Sequence, residues 1–252
     1  LLITLEGGDG SGKRTQAELL KAELEKKGYE TLSLSYPDYS SLYGQLIYDH
    51  VLNCFRPISV DEQFLMYLVD QVKDKKLVLR SFDEGKIVIT DRYFLSTIAY
   101  QTAGGFDYET AKQMEILMGL PKPSIVFYFD VPVKVAIALK YKQNGKLDGF
   151  EKQIAYQEGV KAVFERLMTD KSLPLNWVRI DCIKGMEGSP EDIMRSKGNI
   201  HEEVMLHVNK LLNANAKTLR RADAEVEFHP RKVAICEVPE GLTSKTPLRS
   251  TL

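Results

Sequence analysis

The chain is poor in cysteine, carries almost no net charge and has no long apolar run. Its three cysteines, Cys54, Cys182 and Cys236, are scattered over 252 residues. Their odd number and wide spacing give no disulfide framework, and without a CxxC pair nothing suggests a zinc site, so all three read as structural thiols. No stretch approaches the roughly 18 apolar residues of a membrane-spanning helix, so no membrane association is expected. The 34 basic and 35 acidic side chains leave a formal charge of −1. That excludes the global basic field on which stable nucleic-acid binding draws. There is no internal repeat and no low-complexity segment. The first residues, LLITLEGG, run from an apolar strand into a glycine turn and do not have the form of a secretory signal. A cytoplasmic enzyme is expected.

What is present is ordinary globular composition, 44% apolar and 27% charged, enough for one sizeable α/β domain or one domain with an appendage. Leu1 to Glu6 reads as a strand and Gly7 to Gly12 as a glycine-rich turn. Ala17, Leu20 and Leu24 recur at helical spacing before a stop at Gly28, and Thr31 to Tyr36 reads as a second strand ended by Pro37. Strand, loop, helix, strand is the first unit of a parallel α/β sheet. Further helices are expected over Leu42–Asn53, from a Ser59/Glu62 capping box to about Phe82, and over Tyr93–Ala103, Asp107–Met118, Val133–Leu139, Glu151–Met168 and within Pro190–Asn213. Lys86–Thr90, Ser124–Phe129 and Trp177–Ile180 are the remaining strands, the second apolar enough for a central position covered on both faces. Lys140–Phe150 is polar and lysine-rich and reads as a loop or mobile lid. Residues 214–252 form a C-terminal extension of different composition, with alternation over Ala224–Phe228 and Lys232–Val238 that hints at a small hairpin.

Gly7-Gly8-Asp9-Gly10-Ser11-Gly12-Lys13 fits the G-x-x-x-x-G-K part of a phosphate-binding loop, with a strand before it and a helix after it. Glycines let successive backbone N–H groups curl around an anion, and the helix start adds donors and a favourable dipole. The expected phosphate-binding residues are Gly8, Asp9, Gly10, Ser11, Gly12, Lys13, Arg14 and Thr15, with Lys13 reaching the outer phosphates of ATP. Arg14 stands where a Ser or Thr normally joins a Mg²⁺ shell, and arginine cannot ligate a cation. Thr15, one position on, and Ser11 are substitutes. Either metal affinity falls, or the ion rests on phosphates and water, or turnover is impaired.

The run LITLEGGDGSGK, with Asp91-Arg92-Tyr93, Ser96-Thr97, Ala99-Tyr100-Gln101, Gly119-Leu120-Pro121-Lys122-Pro123 ahead of a strand ending in Asp130, and Asp148-Gly149-Phe150-Glu151, resembles the thymidylate kinase family. The resemblance covers about residues 1–213, taken as the kinase domain with its lid near 140–150. It implies a P-loop nucleoside monophosphate kinase fold, with a five-stranded parallel sheet and helices on both faces. It also implies ATP and Mg²⁺, transfer of a phosphoryl group to dTMP, and a homodimer.

Residue by residue, the resemblance implies catalytic roles for Lys13, Arg92, Asp91 and Asp9. Asp9 contacts the acceptor sugar or positions a phosphate-binding group. Asp91 and Thr15 lie in or near the metal shell, and Arg92 offers a planar fork to the acceptor phosphate. Asp9, Pro37, Tyr39, Tyr67, Gln71, Arg92, Ser96, Tyr100 and Gln101 form the acceptor side, with Tyr67 under the pyrimidine. Lys140, Lys142 and Lys146 are the lid cations. The chain departs from the family at Tyr39 and Gln71, where arginines are usual, and in its lid and at Gly149, which lack arginines. A lost guanidinium is not replaced by a point charge. A kinase for dUMP, dCMP or a deoxynucleoside, and a nucleotide-binding regulatory or structural protein with a degenerate site, are the alternatives.

Overall fold

The structure, a computed structural model, describes residues 1–53, 57–144, 154–185 and 187–225. Residues Leu1–Asn209 form one compact unit and Lys210–Leu252 a second. In the first, β1 (Leu2–Gly7), β2 (Thr31–Ser35), β3 (Ile87–Asp91), β4 (Ile125–Asp130) and β5 (Trp177–Asp181) make a sheet in the order β2-β3-β1-β4-β5. All of its pairings are parallel. The five-stranded parallel sheet expected from the sequence is therefore the one observed. The chain leaves β1 in one direction to build β2 and β3 and then crosses to β4 on the other side. That reversal leaves a crevice at the carboxyl ends of β1, β3 and β4. Register brings Asp91 beside Leu5 and Gly7 beside Phe129, so the strand ends meet there.

The central strands are nearly continuous apolar runs because both faces are covered. Leu2, Val88, Val126 and Tyr128 project from one face into a cluster with Phe64 and Leu68 of α3 (Val60–Val72), Phe94 and Ile98 of α5 (Phe94–Ala103) and Phe164 of α8 (Ile154–Thr169). Phe127 projects from the other face, where its ring meets His207 of α10 (Lys197–Glu225). α1 (Lys13–Lys26) contacts β1, β2 and β3.

Most boundaries follow local chemistry. α1 ends where Gly28 takes φ +86°, which a side chain resists. Ser59 and Glu62 make the reciprocal capping box at the start of α3, at 3.1 and 2.8 Å. Asp107 caps α6 (Tyr108–Met118) through the Thr110 N–H. Three expectations are corrected. The helix from Ser59 does not run unbroken to Phe82. It stops at Val72, and α4 (Lys75–Asp83) begins after a turn in which Lys73 bridges Asp70 and Asp74 and the Asp74 carboxylate accepts from the Tyr36 hydroxyl. The helix expected over Leu42–Asn53 is α2 (Leu42–Ile47) followed by a wider π-type turn, Tyr48–Leu52.

The segment from Lys140 is not a loop at its start. α7 (Val133–Asn144) continues through it, because alanine, leucine, lysine and glutamine are all strong helix formers whatever their polarity. The rest of that segment lies outside the described residues. Pro190–Asn213 holds α9 (Pro190–Ile193) and α10. The alternation hinted at from Ala224 onward falls outside the described residues except for Ala224 and Glu225, which end α10.

Candidate active site

At the end of β1 the backbone turns through Gly7, Gly10 and Gly12, all at positive φ (141°, 77° and 86°). Glycine is required twice over at the first two. A Cβ on Gly7 would stand 2.7 Å from the Phe129 carbonyl oxygen, and one on Gly10 would stand 2.5 Å from that of Ala136. The loop delivers Lys13 to the first turn of α1, where its side chain folds back over the loop. Its Nζ donates to the Gly8 carbonyl at 2.6 Å and to Ser11 Oγ at 3.2 Å, and the residue is only 5% exposed. Burial first, and then the Arg92 cation, lower its pKa to about 8 against the pull of Asp91, Asp9 and Glu6. An entering phosphate supplies the negative charge this ammonium lacks.

Arg92 follows β3 with φ +66°, the left-handed region that a non-glycine residue occupies at a cost. Its position is held from several sides. The guanidinium pairs with Asp9 and lies 5.0 Å from the Tyr100 ring centroid, while Nη1 donates to the Gly7 carbonyl and to Ser96 Oγ at 3.4 Å each. Tyr100 donates its hydroxyl to the same Asp9 oxygen at 3.1 Å.

Beneath this pair lies Glu6, which is fully buried. It accepts from the N–H groups of Tyr93 and Ser96 at 2.9 and 3.3 Å and from the Ser96 hydroxyl. A carboxylate at the exposed amides of a helix start satisfies donors that the helix itself leaves unpaired. Burial raises the Glu6 carboxyl to about 7, with Ser96, Arg92, Lys13 and the Tyr93 amide pulling the other way. Sequence reasoning gave Glu6 no role, although the one charge in an otherwise apolar strand was a usable signal.

A cleft of about 730 Å³ opens above these groups. Asp9, Gly10, Gly12, Lys13, Arg14 and Thr15 line one part, Asp91 and Arg92 the floor, Ser96, Tyr100 and Gln101 of α5 with Tyr67 and Gln71 of α3 the far wall, and Pro37 and Tyr39 the rim. Gly8 and Ser11 border a smaller cavity shared with Asp9 and the start of α7. Every site residue predicted outside the lid is therefore in or beside one crevice, at the strand ends where a parallel sheet binds its ligand. Lys140 and Lys142 belong to α7, and Lys146 lies outside the described residues.

Some placements are distinctive. Arg14 points outward to Glu18, with Nε 3.2 Å from Oε1 and both side chains mostly exposed. Thr15 is half-buried. Asp91 Oδ1 is buried and has no hydrogen-bond partner among the described residues. Gln71 is 2% exposed and donates from Nε2 to Thr97 Oγ1 at 2.7 Å. Asp70 anchors the rim, accepting from the Asp38 N–H at 2.9 Å and from the Ser41 hydroxyl at 3.0 Å. Thr97 and Tyr156 also line the cleft and were not among the predicted site residues. The pairing of Thr97 was hidden by the 26 residues that separate it from Gln71.

Residues 5–193 match the family model described as thymidylate kinase. A probable thymidylate kinase from Pyrococcus horikoshii is 38% identical over 170 residues, which are 66% of this chain and 81% of that protein. A thymidylate kinase from an Exiguobacterium species is 30% identical over 199 residues, 77% of this chain and 92% of that protein. The solved structure of thymidylate kinase from Candida albicans superposes with a TM-score of 0.62, covering 83% of this chain and 92% of that one at 21% identity.

Proposed function

The chain belongs to the thymidylate kinase family, and from that premise we propose that it transfers the γ-phosphoryl group of ATP to dTMP through the crevice lined by Lys13, Asp91 and Arg92. One observation carries the site assignment. A glycine loop with an inward-folded lysine and a partly buried arginine braced by Asp9 share one cleft with a wall of aromatic and amide side chains.

Phosphoryl transfer demands alignment and charge neutralisation more than covalent help from the protein. The loop amides from Gly8 to Lys13 cradle the ATP phosphates, and Lys13 moves from the Gly8 carbonyl to the transferring group. Arg92 holds the dTMP phosphate in line, with Asp9 and Tyr100 fixing the guanidinium. An oxygen of that phosphate attacks the γ-phosphorus while the bond to the bridging β–γ oxygen breaks, and ADP leaves. No separate base is needed, because the acceptor phosphate is already a nucleophile.

A Mg²⁺ ion that keeps most of its shell as water and phosphate oxygens needs one or two protein ligands. Among the described residues no cluster of three or more His, Cys, Asp or Glu side chains is set for a metal. The buried, unpartnered Asp91 Oδ1 fits the lighter requirement, and Thr15 is the hydroxyl nearest to the usual position. The ion would neutralise charge on the β and γ oxygens.

The same reading includes a homodimer and a cytoplasmic setting. Leu42 and Leu46 of α2, Leu65 and Val69 of α3, and Ile116 and Leu117 of α6 are exposed, and α3 contacts both of the other helices, so that they offer apolar surface of the kind a second copy covers. Among the described residues no helix is long and apolar enough to cross a membrane.

The test is a coupled ADP-release assay with ATP, Mg²⁺ and dTMP. Turnover that requires dTMP is expected, and Lys13→Met and Arg92→Ala are each expected to lower it by about 10²–10³-fold or more with the fold intact. ATP binding without acceptor-dependent ADP release overturns the reading, and near-normal turnover in either variant removes that residue from it.

A further inference from the structure

The far wall of the cleft differs in chemistry from the phosphate end. Its cations, Lys13, Arg14 and Arg92, all come from the loop, the start of α1 and the end of β3. α3 and α5 contain no lysine or arginine at all. Beside the Ser96 and Tyr100 hydroxyls, which donate to Glu6 and Asp9, they offer Gln71, Gln101, Thr97 and the Tyr67 hydroxyl. Each of these can either donate or accept a hydrogen bond.

Gln71 is the most constrained of them. It is 2% exposed and its Nε2 donates to Thr97 Oγ1 at 2.7 Å, while its Oε1 is buried with no hydrogen-bond partner among the described residues. A buried carbonyl left unpaired on a ligand-lined wall is costly unless the ligand pairs it. The carboxamide is also nearly symmetric in shape. A half-turn about its last bond puts the oxygen on Thr97, whose hydroxyl then donates instead of accepting, and leaves the N–H₂ as the unpaired end. Both arrangements keep the bond to Thr97. A guanidinium in the same place could only donate.

Resting on the dTMP kinase reading, we propose that Gln71 is a specificity-determining residue that reads position 4 of the acceptor pyrimidine in either hydrogen-bonding sense, so that the enzyme also phosphorylates 4-amino pyrimidine deoxynucleoside monophosphates. A 4-oxo base takes the amide N–H, and a 4-amino base gives its proton to Oε1. The 4-amino base also exchanges the N3 donor for an acceptor, and Gln101, 3% exposed on the same wall, is a second carboxamide able to follow that exchange. A wall of fixed polarity rejects a mismatched base by up to about 10⁴–10⁵-fold. This one lacks any group of fixed polarity with which to do so.

The experiment compares dTMP with 5-methyl-dCMP, which shares the 5-methyl group and differs only at positions 3 and 4. Wild-type kcat/KM values within about 30-fold of each other are expected, far short of the rejection a fixed donor achieves. Gln71→Glu, which presents only acceptors when ionised, should shift the ratio toward 5-methyl-dCMP, and Gln71→Arg should shift it toward dTMP by at least about tenfold. Gln71→Met, similar in volume and without a strong polar group, should lower both substrates together and controls for packing. Rejection of 5-methyl-dCMP by more than about 10³-fold in the wild type, or an unchanged ratio in both the Glu and Arg variants, overturns the proposal. Failure to phosphorylate either nucleotide overturns the dTMP kinase reading itself, and this inference with it.

Discussion

The carboxylate of Glu6, at the end of the first strand, accepts a 2.9 Å hydrogen bond from the backbone N–H of Tyr93, 87 residues further along the chain. Through that bond and its contacts with Ser96, the strand that launches the phosphate loop also sets the start of the helix that follows Arg92. The loop and the arginine thus share one buried anchor. The left-handed backbone of Arg92 persists because its neighbours are fixed from below as well as from the cleft.

That anchor predicts a pH signature. The Glu6 carboxyl is raised from 4.5 to about 7 by burial, so folding takes up a proton between those values. Its stabilising contribution is whole below 4.5 and is lost as pH rises through 7. Glu115, also raised to about 7 by burial, acts with the same sign. The combined variant Glu6→Gln/Glu115→Gln should flatten the fall in stability across that window, by at most about 3 kcal/mol per site. Denaturant melts at several pH values measure it, and an unchanged slope refutes the assignment. Carboxyls lowered by their partners, such as Asp38 and Asp170, lose their contribution only below 3.8, outside the window.

The metal shell is testable at two positions. Arg14→Thr restores a hydroxyl where the usual ligand stands and should tighten Mg²⁺ binding to the protein–ADP complex in calorimetry. Its stability cost should stay within about 0.5 kcal/mol, because the pair with Glu18 is exposed. Asp91→Asn should weaken the same binding. Equal metal affinity in Asp91→Asn and wild type would remove Asp91 from the shell.

Two glycines of the loop separate strain from collision. Both sit at positive φ, but a Cβ on Gly12 meets nothing within 4 Å, whereas one on Gly10 runs into the Ala136 carbonyl. Gly12→Ala should cost about 1–2 kcal/mol of backbone strain alone. Gly10→Ala should in addition displace the loop and weaken ATP binding by about tenfold or more. ATP titrations of both variants decide this, and equal affinities refute the collision.

The exposed apolar face predicts the subunit count. Leu65 is 48% exposed on α3, one turn from Val69 at 36%. Leu65→Asp should convert a dimer into monomers in light scattering while leaving circular dichroism unchanged. A wild-type protein that is monomeric at high concentration refutes the dimer directly.

Much of this molecule is written locally along the chain. Apolar runs marked the strands, Gly7 to Lys13 marked the loop, and Ser59 with Glu62 marked a helix start, because backbone conformation and capping depend on residues within one turn of each other. Most of the residues that the resemblance pointed to line one cleft. Other features depend on partners far away in sequence. Glu6 needs the start of α5, Gln71 needs Thr97, and α3 stops where Lys73, Asp70, Asp74 and Tyr36 meet. The same holds for the burial that moves the Glu6 and Lys13 pKa values, since a side chain's solvation is decided by whatever the fold lays over it. Periodicity reports which face of an element is apolar and says nothing of the polar group that arrives opposite it.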